Sequence, residues 1–423
     1  MNVERKAVFY KAISSSALSK LVSFVYQIVS IPLLISMIGT HNFGILAMMM
    51  SLIGWINILS GGVSPYVTKV ISEERPFVEQ QRVITGTRTL LFWGSLALVT
   101  VFSVMSFYIY TNYGNLVITA YLLFVMSILI INFTIADSIR QGSKQQHINN
   151  FYMMSANLAI IGAIYLTYSL PVSEEYLLPL AVIVLYLPLL VSKLVNFYTI
   201  DNTFFLKGFY LPFKNNKQTF KKIFHFMLAN FMIQLSVVII KSFAIIYLGV
   251  SDTLAAAKME IIFRYLLISG TFFAAIQLPL WPLITEAKAK KDHVWLNEIK
   301  IWLGAGFFLY GLVNFIIMFY FGLAIFDLWL GQTVKFTQQE IVLSGGYFLL
   351  ISVVQAPVIL LMGHGAFSYM GKVLMIEAVL FLLFIMAALF LNSAIDLSMI
   401  LLSMILLRLF AFTLLYQRAY KAL

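Results

Sequence analysis

Apolar stretches of about 20 residues, the length that crosses a bilayer as a helix, recur along this chain. Short polar connections separate most of them, and two connections are longer. The stretches lie near residues 14–37, 43–66, 86–110, 116–137, 151–170, 177–198, 224–248, 257–281, 301–322, 341–362, 373–392 and 397–416. This pattern predicts an all-α integral membrane protein with about twelve transmembrane helices.

Basic residues concentrate in alternate connections and at both ends of the chain. On one side they are Arg5, Lys6, Lys11, Lys69, Arg75, Arg82, Arg140, Lys144, Lys207, Lys214, Lys217, Lys221, Lys222, Lys288, Lys290, Lys291, Lys300, Lys372, Arg418 and Lys421. The opposite connections contain one lysine, Lys335, and the acids Glu174, Glu175, Asp252, Asp327, Glu340 and Asp396. Because cytoplasmic loops are enriched in Lys and Arg, both termini are predicted to be cytoplasmic.

The longest connection divides the predicted helices into two sets of six. The predicted organisation is an N-terminal six-helix bundle over 1–205, a cytoplasmic linker over 206–222 and a C-terminal six-helix bundle over 223–423. Each half begins similarly, since Lys11 matches Lys221 and Gly39 matches Gly249 at one constant offset. Internal duplication of this kind is common in secondary transporters.

Composition narrows the class of protein further. The chain is 61% hydrophobic and 11% charged, whereas a soluble protein has roughly 25% charged residues. Its mean hydropathy is +0.93, and it contains no cysteine, which excludes disulfides and thiolate metal sites. The net charge of +11 follows the predicted topology, so we expect no nucleic-acid partner.

No pattern of catalytic or metal-binding residues is evident. The five histidines are scattered and form no HExxH spacing. A polytopic polymerase would need a large outer loop, and the largest here, near 322–340, is modest. We therefore expect no enzymatic activity, no cofactor and no metal site.

Charged residues within the apolar stretches are the candidate functional residues. A charge at the bilayer centre costs about 2.5–3.5 kcal/mol even on insertion scales, so it usually faces a bundle interior or a water-filled cavity. Five are basic and two are acidic, namely Lys20, Lys241, Lys258, Arg264, Arg408, Glu260 and Glu377. The positive excess suggests a path for an anionic substrate.

These charges have alternative interpretations. Glu260 and Arg264 are four residues apart and can pair on one helix face. Lys258 can extend to the membrane surface, and Arg408 can bond neighbouring backbone carbonyls. The predicted substrate-binding residues are Lys20, Lys241, Arg264, Glu260 and Arg408.

Amides also occur inside the predicted spans. They either bond between helices or line a path for sugars, and both interpretations stay open. They are Gln27, Asn57, Asn132, Asn157, Asn230, Gln234, Gln277, Asn314 and Gln355.

Three stretches carry a resemblance to a known family. They are Ile31-Pro32-Leu33-Leu34 with Phe43-Gly44-Ile45, Arg140-Gln141-Gly142-Ser143-Lys144, and Leu278-Pro279-Leu280-Trp281-Pro282-Leu283. Together they resemble Wzx-type flippases of O-antigen and other surface polysaccharides. The resemblance implies the multidrug/oligosaccharidyl-lipid/polysaccharide (MOP) exporter fold, which is a MATE-like V of two six-helix bundles.

The resemblance also implies a function in the bacterial inner membrane. An undecaprenyl-pyrophosphate-linked oligosaccharide would move from the cytoplasmic to the periplasmic leaflet by alternating access. The implied partners are this substrate, membrane lipid, other polysaccharide-assembly proteins and a coupling ion, H⁺ or Na⁺. The family's acidic residue near the end of the second span is absent here, so Glu260 or Glu377 would take that role. A MATE-like cation-coupled drug antiporter is the alternative, and a polysaccharide polymerase is a weaker one.

Overall fold

The chain is helical throughout the part that the structure describes. The computed structural model describes residues 3–72, 76–113, 115–143, 145–200, 217–331, 333–391 and 395–421, and no strand occurs in these ranges. The helices are α1 (Val3–Ser72), α2 (Phe77–Tyr113), α3 (Asn115–Phe133), α4 (Ile135–Gly142), α5 (Gln146–Tyr168), α6 (Glu174–Tyr198), α7 (Lys217–Ser251), α8 (Thr253–Ala289), α9 (His293–Leu330), α10 (Gln338–Gly363), α11 (Phe367–Phe390) and α12 (Leu397–Lys421).

Gly39 interrupts the longest helix, α1. Its backbone has φ 78° and ψ 162°, which is not helical and which a residue with a Cβ rarely adopts. The apolar stretch of α1, Leu18–Ile58, has 41 residues and would be about 60 Å long as one straight helix, roughly twice the hydrocarbon thickness. The predicted spans 14–37 and 43–66 lie on either side of this glycine.

Ten helical segments within the described ranges are long and apolar enough to cross a membrane. Leu18–Ile58 is one of these ten, and Leu116–Gly142, which joins α3 and α4, is another. Each remaining predicted span overlaps one helix along most of its length, but the count of twelve and the cytoplasmic position of the termini stay predictions.

The chain forms two compact units. The first comprises Met1–Phe231 and the second Met232–Leu423, so their boundary falls within α7. The predicted domain limits stay a prediction, and most of the predicted linker, over 206–216, lies outside the described residues.

Branched apolar side chains form the core of the first unit. Val67 and Val70 of α1, Ile84 of α2 and Ile135 of α4 belong to one fully buried cluster. Gly142 of α4 packs against Ile71, because a Cβ at this glycine would lie 2.7 Å from the Ile71 Cβ. This contact brings α4 close to the end of α1.

Glycines bring α9 and α10 together in the second unit. A Cβ added at Gly322 would lie 2.2 Å from Cγ2 of Ile341, and one at Gly345 would lie 2.9 Å from Cβ of Met318. Small residues permit such close approach between membrane helices, where no hydrophobic effect drives association. Beside this contact Phe348 is fully buried and stacks on Phe273, with ring centroids 5.6 Å apart.

Replacement of Gly322 tests the packing of α9 on α10. We expect Gly322→Ala to lower the free energy of unfolding in detergent by about 1–3 kcal/mol, because Ile341 must shift to admit the methyl group. Gly306→Ala on the same helix is the control, since a Cβ there meets nothing within 4 Å. Equal stability of the two variants would contradict the packing described.

Candidate functional site

Glu260 of α8 binds two of the predicted cations in the second unit. Its Oε1 accepts a hydrogen bond from Nε of Arg264 at 2.9 Å, and its Oε2 lies 2.9 Å from Nζ of Lys241 on α7. Only 2% of the Glu260 side chain is exposed, whereas 37% of the Lys241 side chain is accessible. The three side chains together carry one excess positive charge, and the lysine is its most accessible member.

A second buried ion pair lies in the same unit. Nε of Arg408 on α12 lies 2.9 Å from Oε1 of Glu377 on α11. Only 1% of the Glu377 side chain is exposed. The contact is a close charge pair without hydrogen-bond alignment, and the second Glu377 oxygen accepts no hydrogen bond from the residues that the structure describes. Nη2 of Arg408 donates to the Tyr347 hydroxyl at 3.5 Å. Arg408 therefore has a carboxylate as its main partner instead of the backbone carbonyls considered from the sequence.

Lys258 is bound to Glu340, which sequence reasoning assigned to an outer loop. Nζ of Lys258 lies 3.1 Å from both carboxylate oxygens. Glu340 is buried in the first turn of α10, where its side chain accepts from the Thr337 backbone and the Thr337 hydroxyl accepts from the Glu340 backbone. The loop assignment was wrong because this capping box begins the helix earlier.

Lys20 belongs to the first unit, whereas the other predicted site residues belong to the second. It is half-buried on α1, beside the buried Ser19. No ion pair involves Lys20 among the side chains that the structure describes, which begin at Leu18.

A polar network in the first unit was missed. Lys193 of α6 pairs with Asp137 of α4, and Asn196 donates to Asp137 at 2.8 Å and to Asn149 at 2.9 Å. Lys193 lies inside a predicted span, so its position in the sequence could have identified it.

Arg140 joins the same network and is not the solvated loop charge that the topology argument assumed. It is buried on α4 and donates to Asn196 and, at 2.8 Å, to Thr199. These bonds tie α4 to the cytoplasmic end predicted for α6.

Two further expectations concern chemistry. Among the described side chains, no group of three or more His, Asp or Glu residues could hold a metal ion. Most side chains of the Leu278–Leu283 motif lie outside the described residues, so the contacts of this motif are not described.

Comparison with known proteins gives a result only at the level of structure. No protein-family model matches the chain, and no curated protein matches it.

Solved transporters share the fold over nearly the whole chain. An inward-facing multidrug resistance MATE family transporter of the MOP superfamily aligns with a TM-score of 0.77 at 12% identity, covering 97% of this chain and 98% of the other. The lipid II flippase MurJ aligns with a TM-score of 0.69 at 11% identity, covering 96% and 87%. A mutant of the MATE transporter VcmN from Vibrio cholerae aligns with a TM-score of 0.62 at 13% identity, covering 100% and 98%. The chain therefore shares the fold of these transporters.

This shared fold and the ten apolar helical segments support a multi-pass membrane protein. The similar structures include both drug transporters and a lipid flippase. The shared fold therefore leaves both the function and the substrate to be argued from the residues of this chain.

Removal of Arg408 tests the buried ion pair. We expect Arg408→Met to lower the free energy of unfolding by about 3–5 kcal/mol, because the Glu377 carboxylate is left without its cation. The double variant Arg408→Met with Glu377→Met should recover most of this loss. Chemical denaturation in detergent measures both.

Arg418→Met on the same helix provides the control, because Arg418 is exposed. Its effect should stay below about 1 kcal/mol, the loss expected for its exposed contact with the Tyr369 ring at 5.7 Å. A loss in the double variant as large as in Arg408→Met alone would refute the pairing.

Proposed function

We propose that this protein is a flippase that moves undecaprenyl-pyrophosphate-linked oligosaccharide repeat units across the bacterial inner membrane. Transfer runs from the cytoplasmic to the periplasmic leaflet by alternating access. The observation that carries the proposal is the excess positive charge of Lys241, Glu260 and Arg264, which lie within two predicted membrane spans.

An anionic headgroup suits this cluster. A pyrophosphate carries at least two negative charges, and the cost of moving it through a low-dielectric region falls when a fixed cation lies near. In the cluster Glu260 orients both cations and neutralises one of them. Lys241 is left as an accessible ammonium, whose N–H groups not directed at Glu260 can donate to anionic oxygens of a substrate.

The other cations in this unit have less to offer a substrate. Lys258 and Arg408 each lie against one carboxylate, and each pair has no net charge. In this proposal Arg408 therefore neutralises the buried Glu377 carboxylate and does not bind the substrate. Lys20 of the first unit stays a proposed substrate contact because it is half-buried without a carboxylate among the described residues.

A cation-coupled drug antiporter on the same fold is less well supported. Such a protein needs a carboxylate that can take up a cation, whereas Glu260, Glu340 and Glu377 each lie within 3.1 Å of a Lys or Arg. Coupling to H⁺ or Na⁺ stays part of the proposal, and Glu260 and Glu377 can serve only by exchanging a resident cation.

Reconstitution tests the charge assignment. In liposomes that hold the full-length protein and labelled undecaprenyl-pyrophosphate oligosaccharide, Lys241→Met should slow leaflet transfer by about tenfold or more, since a charge-assisted hydrogen bond contributes about 1.5–3 kcal/mol. Lys241→Arg should restore most of the rate, because it restores the charge.

The matched control removes a different Lys–Glu ion pair from the same unit, between Lys258 of α8 and Glu340 of α10. The double variant Lys258→Met with Glu340→Gln should transfer lipid at nearly the wild-type rate, because it leaves the charge of the Glu260 cluster unchanged. Transfer by the wild type no faster than in protein-free liposomes would reject the flippase function. Equal rates for Lys241→Met and wild type would reject the role of the cluster alone.

A further inference from the structure

The first unit contains a cavity of about 270 Å³ between its helices. Polar side chains reach it from α1, α3, α5 and α6, and each lies well inside a predicted span. They are Tyr26, Asn57, Ser127, Asn157 and Tyr186. Polar groups at this depth are costly and usually serve a function.

The cavity is mainly apolar, with several polar groups and no charged side chain among the described residues that line it. None of its lining residues is acidic, basic or histidine, and the rest of its wall is formed by Ile, Leu and Met side chains. An ion would therefore pay its full desolvation cost there. The cavity suits a neutral ligand that presents both hydrogen-bonding groups and apolar surface.

Hydroxylated rings have this combination of groups. A pyranose ring carries apolar C–H faces that pack on phenol rings such as those of Tyr26 and Tyr186. Its hydroxyls both donate and accept hydrogen bonds, as do the amides of Asn57 and Asn157.

Asn157 differs from amides that serve only to join helices. Asn132 donates to Ser95 at 2.9 Å and to Ile128 at 2.8 Å, and Asn314 accepts from the Tyr265 hydroxyl. Asn157 lines the cavity, and its Nδ2 donates to Ser23 at 2.9 Å. Its Oδ1 accepts no hydrogen bond from the described residues, so a buried acceptor stays available to a ligand.

We propose that this cavity, through Asn157, Tyr26 and their neighbours, binds one neutral sugar ring of the transported lipid-linked oligosaccharide. The inference rests on the proposed function for the identity of the ligand. Sugar recognition is thereby assigned to uncharged groups of the first unit, separately from the cationic cluster of the second.

Binding of two lipids to the full-length protein in nanodiscs tests this assignment. The probes are undecaprenyl pyrophosphate that bears an oligosaccharide and the same lipid without sugar. Asn157→Leu should weaken binding of the sugar-bearing lipid by about tenfold, the loss expected for one or two hydrogen bonds, and change binding of the bare lipid by less than about twofold.

Ser23→Ala is the matched control for Asn157. It removes the hydrogen bond from the Asn157 amide to Ser23 but keeps the amide, so it should leave both affinities near the wild-type values. Tyr26→Phe removes one hydroxyl from the cavity and should again weaken only the sugar-bearing lipid, which provides a second test if Asn157→Leu fails to fold.

The outcomes separate this inference from the proposed function. Equal wild-type affinity for the two lipids, an equal loss for both lipids in Asn157→Leu, or a Ser23→Ala effect like that of Asn157→Leu would overturn the sugar site while the flippase proposal stands. Binding of the free oligosaccharide that depends on Asn157, without binding of either lipid, would support the sugar site and overturn the flippase proposal. No binding of any of the three probes would overturn both.

Discussion

The free-energy cost of charge inside a bilayer explains how the charged side chains in the predicted spans of the second unit are paired. Each deep cation there lies against a carboxylate, although the members of two pairs are distant in sequence: Lys258 with Glu340, and Arg408 with Glu377. Such pairs make a buried charge tolerable and add little net stability. The cluster around Glu260 departs from this balance, because one carboxylate serves two cations. Its excess charge is the feature that packing alone does not require.

The sequence singled out most of the charged residues that form these clusters, but it did not predict most of the pairs that they form. Glu260 and Arg264 could be paired because four residues make one helical turn. The contact between Lys241 and Glu260 joins α7 to α8. Its geometry depends on how these two helices pack, which the hydropathy pattern does not predict. The pair of Lys258 and Glu340 was partly readable, since Thr337 and Glu340 have the spacing of a capping box. The pair was not predicted because Glu340 was counted only as an acid of a connection between spans.

The helices themselves were predictable because the bilayer leaves the backbone few alternatives. Every peptide group must be bonded within its own segment, so an apolar stretch of sufficient length becomes a helix. The backbone break at Gly39 agrees with the gap between two predicted spans. Contacts such as Gly322 on Ile341 could not be predicted, because small residues occur throughout apolar helices and only some face a neighbour.

Charged and uncharged groups provide different kinds of recognition, and this chain carries both at membrane depth. A cation attracts any anion over several ångströms and discriminates little between headgroups that share a phosphate. Hydrogen bonds in an enclosed cavity act over short distances, and they reject a ligand that leaves a buried polar group unpaired. A lipid carrier common to many glycans therefore suits the Glu260 cluster, whereas the identity of the glycan suits the cavity lined by Asn57 and Asn157. Changes of the cavity wall would then alter which sugar is accepted without altering the attraction for the carrier.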